Sequence, residues 1–238
     1  MMEEHAKGTA LVTGATKGMG RAIALSLAEM GHDLLLAARQ EADLERTATA
    51  IIEQYPGRRV DTCACDLATD AGCARLLDWA KPRDVEVLVN NVGIYLPVSI
   101  LAETDEGFIR QWQTNYMTPH RLARGIAPHM VARGRGHIIN ITSIAAKTAV
   151  VAAGTYSVTK AALHSLTLVL REELRAHGIR VTEIVPGSTK TASWSGTDLP
   201  DERFVMPSDV ARAVRMALAV SDGASVDEVV VTPKQGNI

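Results

Sequence analysis

The sequence lacks a long hydrophobic run: none of its apolar stretches approaches the ~18 residues that a membrane-spanning helix needs. It also leaves no room for a signal peptide, because a strand pattern that begins by Thr9 follows the charged, acidic first residues. We therefore expect a cytosolic protein without membrane partners.

An excess of charge of either sign is also missing. The chain carries 25 Lys and Arg against 27 Asp and Glu, which gives a net charge of −2 and an isoelectric point near 6.4. This balance indicates no basic face for nucleic acid or for an anionic membrane surface. The expected partner is a small molecule.

Cysteine is scarce, and its few positions argue against a disulfide framework. The three cysteines, Cys63, Cys65 and Cys73, are odd in number and lie close together. Cys63 and Cys65 would share one face of a strand, with no second pair and no nearby histidines to complete a zinc site. We expect reduced packing residues and no metal.

The chain does contain enough apolar residues for a sizeable core. Its 238 residues are 47% hydrophobic and 22% charged, with a mean hydropathy of +0.05, which is typical of a globular protein. Seven strand patterns alternate with helical patterns, without repeats or linkers. This order predicts one α/β domain over residues 1–238, with helices on both faces of a parallel sheet.

The first unit is a strand, a glycine turn and a helix. The β-prone residues 9–13 lead into the spacing Gly14-x-x-x-Gly18-x-Gly20, and a helical pattern continues to residue 29. Glycines here let the backbone approach a pyrophosphate, which N–H groups at the helix N-terminus bind. The alternative is a plain turn, but the flanking strand and helix favour dinucleotide binding. The spacing differs from the phosphate loop of nucleotide hydrolases, which disfavours ATP.

Arg39 ends the second predicted strand, about 20 positions past the glycine turn, where a cofactor-selecting residue falls. An acid there would hold the ribose diol of NAD. Arginine instead offers a fork of donors to a 2′-phosphate, and Lys17 adds a second positive charge. Both residues could also be ordinary surface cations. The sequence favours NADP over NAD.

Asp66 follows the third predicted strand, and two interpretations of it stay open. Its carboxylate could accept a hydrogen bond from the adenine amino group, or it could cap the helix that begins near Thr69. After the fourth strand, Asn90, Asn91 and Gly93 predict a turn that lines the cofactor pocket.

Tyr156 and Lys160 are four positions apart in a predicted helix over residues 155–177, so both side chains leave the same face. A nearby ammonium favours the phenolate, and we expect Lys160 to lower the tyrosine pKa from ~10. Ser143 follows a buried strand, where a hydroxyl can point into the crevice of an open α/β sheet. Taken alone, the pair is more typical of a surface tyrosine packed on a lysine stem, so the other motifs must decide.

Asn115 ends the first of two predicted helical segments, 103–115 and 118–133, which we expect to be interrupted at Pro119. Its side chain or a freed carbonyl could hold a water there; a plain helix-end asparagine is the alternative. Residues 187–205 form a candidate substrate-binding loop. The Ser-, Thr- and Gly-rich part from Gly187 to Asp201 contains Trp194 and is a candidate lid.

These motifs together resemble the short-chain dehydrogenase/reductase family over nearly the whole chain. They occur in order at family-like spacing: Thr13-Gly-x-x-x-Gly-x-Gly20, Asn90-Asn-x-Gly93, Asn115, Ser143 with Tyr156-x-x-x-Lys160, and Pro186-Gly187 with Thr191. The resemblance implies a single Rossmann-like domain, a three-layer sandwich whose seven strands have the order 3-2-1-4-5-6-7. Val92, where alanine is usual, and Thr189, where valine or isoleucine is usual, depart from the pattern.

The resemblance also implies four catalytic residues. Tyr156 would be the acid or base at the substrate oxygen, and Ser143 would hydrogen-bond that oxygen. Lys160 would lower the tyrosine pKa and hold the nicotinamide ribose, while Asn115 would hold a relay water. Proton transfer would thus be matched to a hydride transfer that belongs to the cofactor.

A nicotinamide cofactor is expected across the carboxyl ends of the strands, with the backbone of Thr189 and the hydroxyl of Thr191 at its carboxamide. The predicted cofactor-binding residues are Gly14, Thr16, Lys17, Gly18, Met19, Gly20, Arg39, Asp66, Leu67, Asn91, Gly93, Tyr156, Lys160, Pro186, Gly187, Thr189 and Thr191. A largely apolar wall suggests a neutral ketone substrate. Its predicted residues are Ile94, Tyr95, Leu96, Ala145, Val150, Val151 and Trp194.

The sequence therefore predicts an NADP-preferring oxidoreductase that interconverts a carbonyl and a secondary alcohol, mainly as a reductase. It is similar to oxoacyl-carrier reductases and to sepiapterin-type carbonyl reductases. One alternative is an NAD-dependent alcohol dehydrogenase, against which Arg39 and Lys17 argue. Another is a non-catalytic NADP(H)-sensing regulator, a class that commonly loses the tyrosine or the lysine. The resemblance also implies a homodimer or homotetramer.

Overall fold

The computed structural model describes residues 7–238, and seven strands in it form one sheet. The strands are β1 (Thr9–Thr13), β2 (Asp33–Ala38), β3 (Val60–Ala64), β4 (Val85–Asn90), β5 (Gly136–Ile141), β6 (Ile179–Pro186) and β7 (Glu228–Val231). The central strands are apolar on both faces because helices cover the sheet on both sides.

The strand order is β3-β2-β1-β4-β5-β6-β7, and every pairing is parallel. This arrangement confirms the predicted topology. The chain runs outward from β1 in one direction and outward from β4 in the other. In an open α/β sheet the crevice outside the carboxyl ends of the strands at such a reversal is the usual place for a ligand.

In the described part of the chain, seven α-helices connect the strands. They are α1 (Gly18–Glu29), α2 (Glu41–Gln54), α3 (Asp70–Ala80), α4 (Asp105–Trp112), α5 (Thr118–Arg133), α6 (Gly154–Arg175) and α7 (Pro207–Ala219). Within residues 7–238, none of the helices has both the length and the apolar character required to cross a membrane.

The predicted interruption at Pro119 is wrong. A π-helical turn, Gln113–Met117, joins α4 directly to α5, so the helical path is continuous. Pro119 lies in the first turn of α5, directly after the π-helical turn. The irregular turn nevertheless contains Asn115, the residue that the sequence assigned to a helix break.

The core consists of two apolar layers, one on each face of the sheet. One layer packs α1, α2 and α7 against the strands, and the other packs α3, α5 and α6. Cys63, Cys65 and Cys73 are buried and free, which confirms them as reduced packing residues. Burial raises the pKa of the Cys65 thiol to about 12, which makes it a poor nucleophile.

Candidate active site

The glycine turn after β1 is shaped by two steric requirements. Gly14 has a φ of +65°, a conformation that favours glycine. A Cβ on Gly20 would lie 2.1 Å from the Gly14 carbonyl oxygen and 2.5 Å from the Asn91 amide nitrogen. Only glycine at position 20 lets α1 approach β1 this closely.

The N-terminus of α1 is open to an anion. Lys17 precedes the helix without making a side-chain cap, and the first turn contains no acidic residue. The N–H groups of that turn therefore stay available, and the helix dipole favours negative charge there. Thr191 lies opposite, since a Cβ on Gly18 would be 3.4 Å from its methyl group. Two distant sequence motifs thus meet.

Thr13 and Asn91 join the ends of β1 and β4. The Thr13 hydroxyl donates to the Val89 carbonyl (3.1 Å) and accepts from the backbone N–H groups of Asn91 (3.0 Å) and Val92 (3.1 Å). The Asn91 amide donates to the Thr13 carbonyl at 2.8 Å. These bonds fix the glycine turn against the next strand. Thr13 was absent from the predicted site, although it opens the glycine motif.

A basic cavity of about 320 Å³ lies beside the glycine turn. It is lined by Thr16, Lys17, Arg21, Asp43, Arg46 and Thr47. Arg39 is exposed just after β2. The sequence predicted Lys17 and Arg39 but missed Arg21 and Arg46. The four-residue spacing of Lys17, just before α1, and Arg21, in its first turn, was the available signal, whereas nothing in the sequence placed Arg46 of α2 here.

Asp66 does not cap α3. Thr69 is the cap, with its hydroxyl accepting from the Gly72 N–H at 3.0 Å. One carboxylate oxygen of Asp66 accepts from the Ala68 N–H at 3.1 Å, and the side chain is exposed at the carboxyl end of β3. The capping interpretation is therefore wrong, while contact with adenine stays a prediction.

Asn115 uses its side chain to hold the loop after β4. Its Oδ1 accepts from the Ile94 N–H at 2.8 Å, and its Nδ2 donates to the Ile94 carbonyl at 2.9 Å and to the Thr159 hydroxyl at 3.1 Å. The amide is buried. Because its side chain is engaged in these bonds, a water at Asn115 would hydrogen-bond to its backbone carbonyl, in the π-helical turn.

Tyr156 and Lys160 lie one turn apart on α6, with the lysine Nζ 5.8 Å from the centroid of the tyrosine ring. Lys160 is buried and donates to the Ile141 carbonyl, at the end of β5, at 2.9 Å. Ser143 follows β5, and its hydroxyl accepts from the Ala145 N–H at 3.2 Å. The three side chains therefore come from adjacent parts of α6 and the β5 end.

The expected lowering of the Tyr156 pKa by Lys160 is wrong for the protein alone. Burial raises the pKa of Tyr156; the Ser143 hydroxyl lowers it, and Tyr95 adds a smaller increase. Lys160 directs its ammonium to a backbone carbonyl rather than to the phenol oxygen. Burial also lowers the pKa of Lys160 to about 8, while Glu183 raises it. Desolvation is thus the largest influence on both groups.

Tyr95 of the predicted substrate wall lies beside Tyr156, and the contact of the wall with substrate stays a prediction. The Tyr95 ring contacts the Tyr156 ring edge to face, with centroids 5.0 Å apart and planes at 87°. Ala145 is buried, whereas Val151 is 82% exposed. In the 187–205 loop, Trp194 packs edge on against Phe204 at 5.1 Å, and a bridge pairs Thr189 with Val205.

The other predicted residues lie at the same carboxyl edge of the sheet. Thr16 and Met19 flank the start of α1, Leu67 follows β3, Gly93 follows β4, Pro186 ends β6, and Gly187 follows it. The structure therefore gathers the predicted catalytic and cofactor residues along one edge, although they are spread over most of the sequence.

Comparison with known proteins agrees with this geometry. A family model described as short chain dehydrogenase matches residues 8–200. The chain is 32% identical over 238 residues to an uncharacterized oxidoreductase of Staphylococcus saprophyticus, covering 98% of this chain and 100% of that protein. It is 37% identical over 183 residues to a very-long-chain 3-oxoacyl-CoA reductase of Caenorhabditis briggsae, covering 74% of this chain. The match covers only 58% of that relative's length.

Among solved structures, the L-sorbose reductase of Gluconobacter frateurii, complexed with NADPH and L-sorbose, is similar over 96% of both chains. The TM-score is 0.89 and the sequence identity is 31%.

Proposed function

Because the chain belongs to the short-chain dehydrogenase/reductase family, we propose that it is a carbonyl reductase that converts a ketone to a secondary alcohol with NADPH. The observation that carries this proposal is the meeting of Ser143, Tyr156 and Lys160 at the carboxyl edge of the sheet, beside an open glycine turn. We propose that residues 1–238 act as one cofactor-binding and catalytic unit.

NADP is the cofactor, as in related solved structures that hold NADP or NADPH. The chain fits this group on three counts: a glycine cradle that a Cβ at position 20 would fill, an uncapped α1 N-terminus, and a basic cavity. Lys17, Arg21 and Arg46 would hold the 2′-phosphate in that cavity, with Arg39 at its approach. Bound NADPH would supply the hydride.

Tyr156 would give its proton to the substrate oxygen. Burial raises the pKa of this phenol, so it stays protonated at neutral pH, which is the state a general acid needs. Ser143 would donate a hydrogen bond to the same oxygen and stabilise the charge that develops there. Lys160 would hold the cofactor ribose, and the Asn115 carbonyl would hold a water that replaces the proton.

The substrate is proposed to be a ketone with apolar substituents. Tyr95, Ile100, Leu101 and Val151 are exposed apolar or aromatic residues near the N-terminal end of α6, with exposed fractions from 41% to 100%. Ile100 packs against Gly154, two residues before Tyr156. Such a rim favours an aryl, alkyl or acyl group over a sugar. The 187–205 loop would close over it.

A row of aromatic side chains supports the expected homodimer or homotetramer. Phe108, Trp112, Tyr116 and His120 stack along α4, the π-helical turn and α5, with ring centroids 4.7–6.2 Å apart. On α6, Leu168 and Val169 are exposed. A second copy packed on these helices would bury both sets. The cytosolic location stays a prediction.

A substrate panel tests the proposal. NADPH consumption would be followed with an aryl alkyl ketone, a 3-oxoacyl thioester and a ketose, each with NADH in parallel. We expect turnover with at least one of the apolar ketones, little with the ketose, and a clear preference for NADPH. Efficient turnover of the ketose would contradict the assigned substrate class, and NADPH binding without turnover of any carbonyl would instead support the sensor alternative.

A further inference from the structure

A buried carboxylate lies within the sheet, on the strand next to the edge strand β7. Glu183 is on β6, opposite Asn140 of β5, and its exposed fraction is 0%. Removing a carboxylate from water costs several kcal/mol, on the order of the stability of a small domain, unless partners compensate. The mechanism above gives this residue no role.

Two side chains hold the Glu183 carboxylate. The Thr142 hydroxyl donates to one oxygen at 2.6 Å, and His164 Nδ1 lies 2.7 Å from the other. Thr142 follows β5, whereas His164 comes from α6. Both carboxylate oxygens are therefore fixed from different elements, which is the geometry of a built position rather than of an accidental burial.

The same two elements hold Lys160. It precedes His164 by one turn of α6, so both side chains leave the helix on the sheet side. The Lys160 ammonium donates to the carbonyl of Ile141, and Thr142, the very next residue, donates to Glu183. Consecutive residues of the β5 end thus hold the lysine and the carboxylate.

Other charged and titratable groups surround this pair. Tyr156 and Tyr95 lie on the substrate side of Lys160. On the outer side of Glu183 the groups are His164 on α6, Glu228 on β7 and Lys147 after β5, and the Lys147 ammonium lies 2.6 Å from the Glu228 carboxylate.

The ion pair between Lys147 and Glu228 distinguishes the Glu228 carboxylate from that of Glu183. Potential ligand atoms of His164, Glu183 and Glu228 lie within 4.8 Å of one another, but the Lys147 ammonium already matches the charge of Glu228. A metal cation there would have to displace or face that ammonium. Glu183 is left as a buried carboxylate held by the same two elements, α6 and the β5 end, that hold Lys160.

We propose that Glu183 is a positioning residue: held by Thr142 and His164, it is the buried counter-charge that keeps Lys160 an ammonium. The proposal deepens the reductase function proposed above, since a charged lysine is what would hold the cofactor ribose. Its electrostatic part is independent of any substrate.

The direction of the pKa shifts agrees with this role. Burial lowers the pKa of Lys160 to about 8, and Glu183 acts in the opposite direction. Without the carboxylate, the lysine would lose its proton closer to neutral pH. The contribution of Glu183 is thus to widen the pH range over which Lys160 is charged.

An NMR titration of the cofactor-free protein tests the proposal directly. Lysines carry a ¹³C label at the ε-carbon, and the Lys160 signal is assigned by its loss in Lys160→Met. In the wild-type protein we expect Lys160 to titrate near pH 8. Glu183→Gln keeps the shape and the ability to accept from Thr142, and should move the midpoint down by about one pH unit, a tenfold change. Glu183→Asp keeps the negative charge, so its Lys160 midpoint should lie close to the wild-type value.

Glu228→Gln is the matched control, because it removes the carboxylate that Lys147 already neutralises. It should leave the Lys160 midpoint within about 0.3 pH unit, a change of twofold. A Glu183→Gln midpoint equally close to the wild-type value would overturn the proposal. Since the titration needs no turnover, its result is separate from the test of the reductase function.

A double-mutant cycle covers the case in which Glu183→Gln does not fold. If Glu183 balances the Lys160 charge, Glu183→Gln combined with Lys160→Met buries neither charge. The double variant should be more stable than the single Glu183→Gln variant, with an unfolding equilibrium constant at least tenfold smaller. A double variant no more stable than the single one would contradict the pairing. In active enzyme, the loss of kcat/KM at high pH should begin at lower pH in Glu183→Gln.

Discussion

The amide of Asn115 hydrogen-bonds to both backbone groups of Ile94, accepting from its N–H at 2.8 Å and donating to its carbonyl at 2.9 Å. Asparagine is suited to this position because one side chain offers an acceptor and a donor in the same plane. The pair connects the π-helical turn to the loop after β4, which carries Tyr95 of the proposed substrate wall.

Asn115→Ala should destabilise the fold and lower kcat. It removes three buried hydrogen bonds, each worth about 0.5–1.5 kcal/mol, so the free energy of unfolding should fall by about 2–4 kcal/mol. Urea unfolding measures the loss. Thr159→Val, which removes only one of the amide's partners, should cost about 1 kcal/mol. Equal losses in the two variants would show that the contact with Ile94 contributes little.

Gly20→Ala should abolish NADPH binding while the protein still folds. The added Cβ would lie 2.1 Å from the Gly14 carbonyl oxygen, which forces the glycine turn away from its position. Fluorescence titration with NADPH measures the affinity, and we expect a loss of about a hundredfold or more, ~3 kcal/mol. Gly223→Ala, with open space around it, is the control and should bind NADPH normally. Unchanged NADPH affinity in Gly20→Ala would contradict the proposal that the glycine turn binds the cofactor.

Arg46→Ala should raise the KM for NADPH about tenfold and leave the KM for NADH unchanged, because a charge-assisted bond to phosphate is worth about 1.5–3 kcal/mol. Arg212→Ala is a matched control: both arginines are exposed on helices and paired with an aspartate three residues earlier, but Arg212 lies on α7. A similar rise with both cofactors would argue against contact with the 2′-phosphate.

Arg39→Asp should shift preference from NADPH toward NADH. The substitution places an acceptor for the ribose diol where a donor to phosphate stood, and it repels the phosphate. The ratio of kcat/KM for the two cofactors is the readout. A ratio that stays at its wild-type value would remove Arg39 from the account and leave selectivity to the cavity of Lys17, Arg21 and Arg46.

His137 should make the protein less stable as the pH falls from 6.5 toward 3. Burial lowers the pKa of His137 to about 3, so in this window the unfolded chain binds a proton that the folded chain does not. The free energy of unfolding should drop by up to about 1.4 kcal/mol per pH unit. His137→Gln should flatten that slope, whereas the exposed His129→Gln should not; identical slopes in all three proteins would contradict this.

The tautomer of His137 follows from its surroundings. The Thr182 hydroxyl gives its single proton to the Val226 carbonyl at 2.6 Å, so the ring nitrogen 2.7 Å from that hydroxyl must be the donor, Nε2–H. In the described part of the chain, Nδ1 has no hydrogen-bond partner. A second proton would create a buried cation close to Arg180.

Local patterns predicted the alternating strands and helices of a parallel sheet, and the family resemblance supplied the strand order. Apolar runs of five to eight residues, each ended by glycine or a polar turn, placed the strands, and the predicted bounds of β1 (Thr9–Thr13) and β2 (Asp33–Ala38) match those observed. The proposed catalytic positions came from the spacing and the order of the motifs. The strands and these positions could thus be predicted because their signals lie in residues close in sequence or in the order of motifs along the chain.

What the sequence did not predict depends on burial and on contacts between distant elements. Arg46 reaches the basic cavity because α2 packs beside α1, and no periodicity encodes that contact. The Tyr156 pKa rises because its surroundings exclude water, which outweighs the effect expected from a lysine four positions away. The π-helical turn that keeps α4 and α5 continuous likewise has no clear local signature.

The central claim is that Tyr156 supplies the proton as the hydride arrives, and a single-turnover experiment with Tyr156→Phe tests it most directly. NADPH oxidation would be followed by stopped flow after mixing enzyme-bound NADPH with the best ketone, and the affinity for NADPH would be titrated separately. The account predicts a rate at least about a thousandfold below that of the wild-type protein, with NADPH affinity within about twofold. A Tyr156→Phe rate within tenfold of the wild-type value would contradict it.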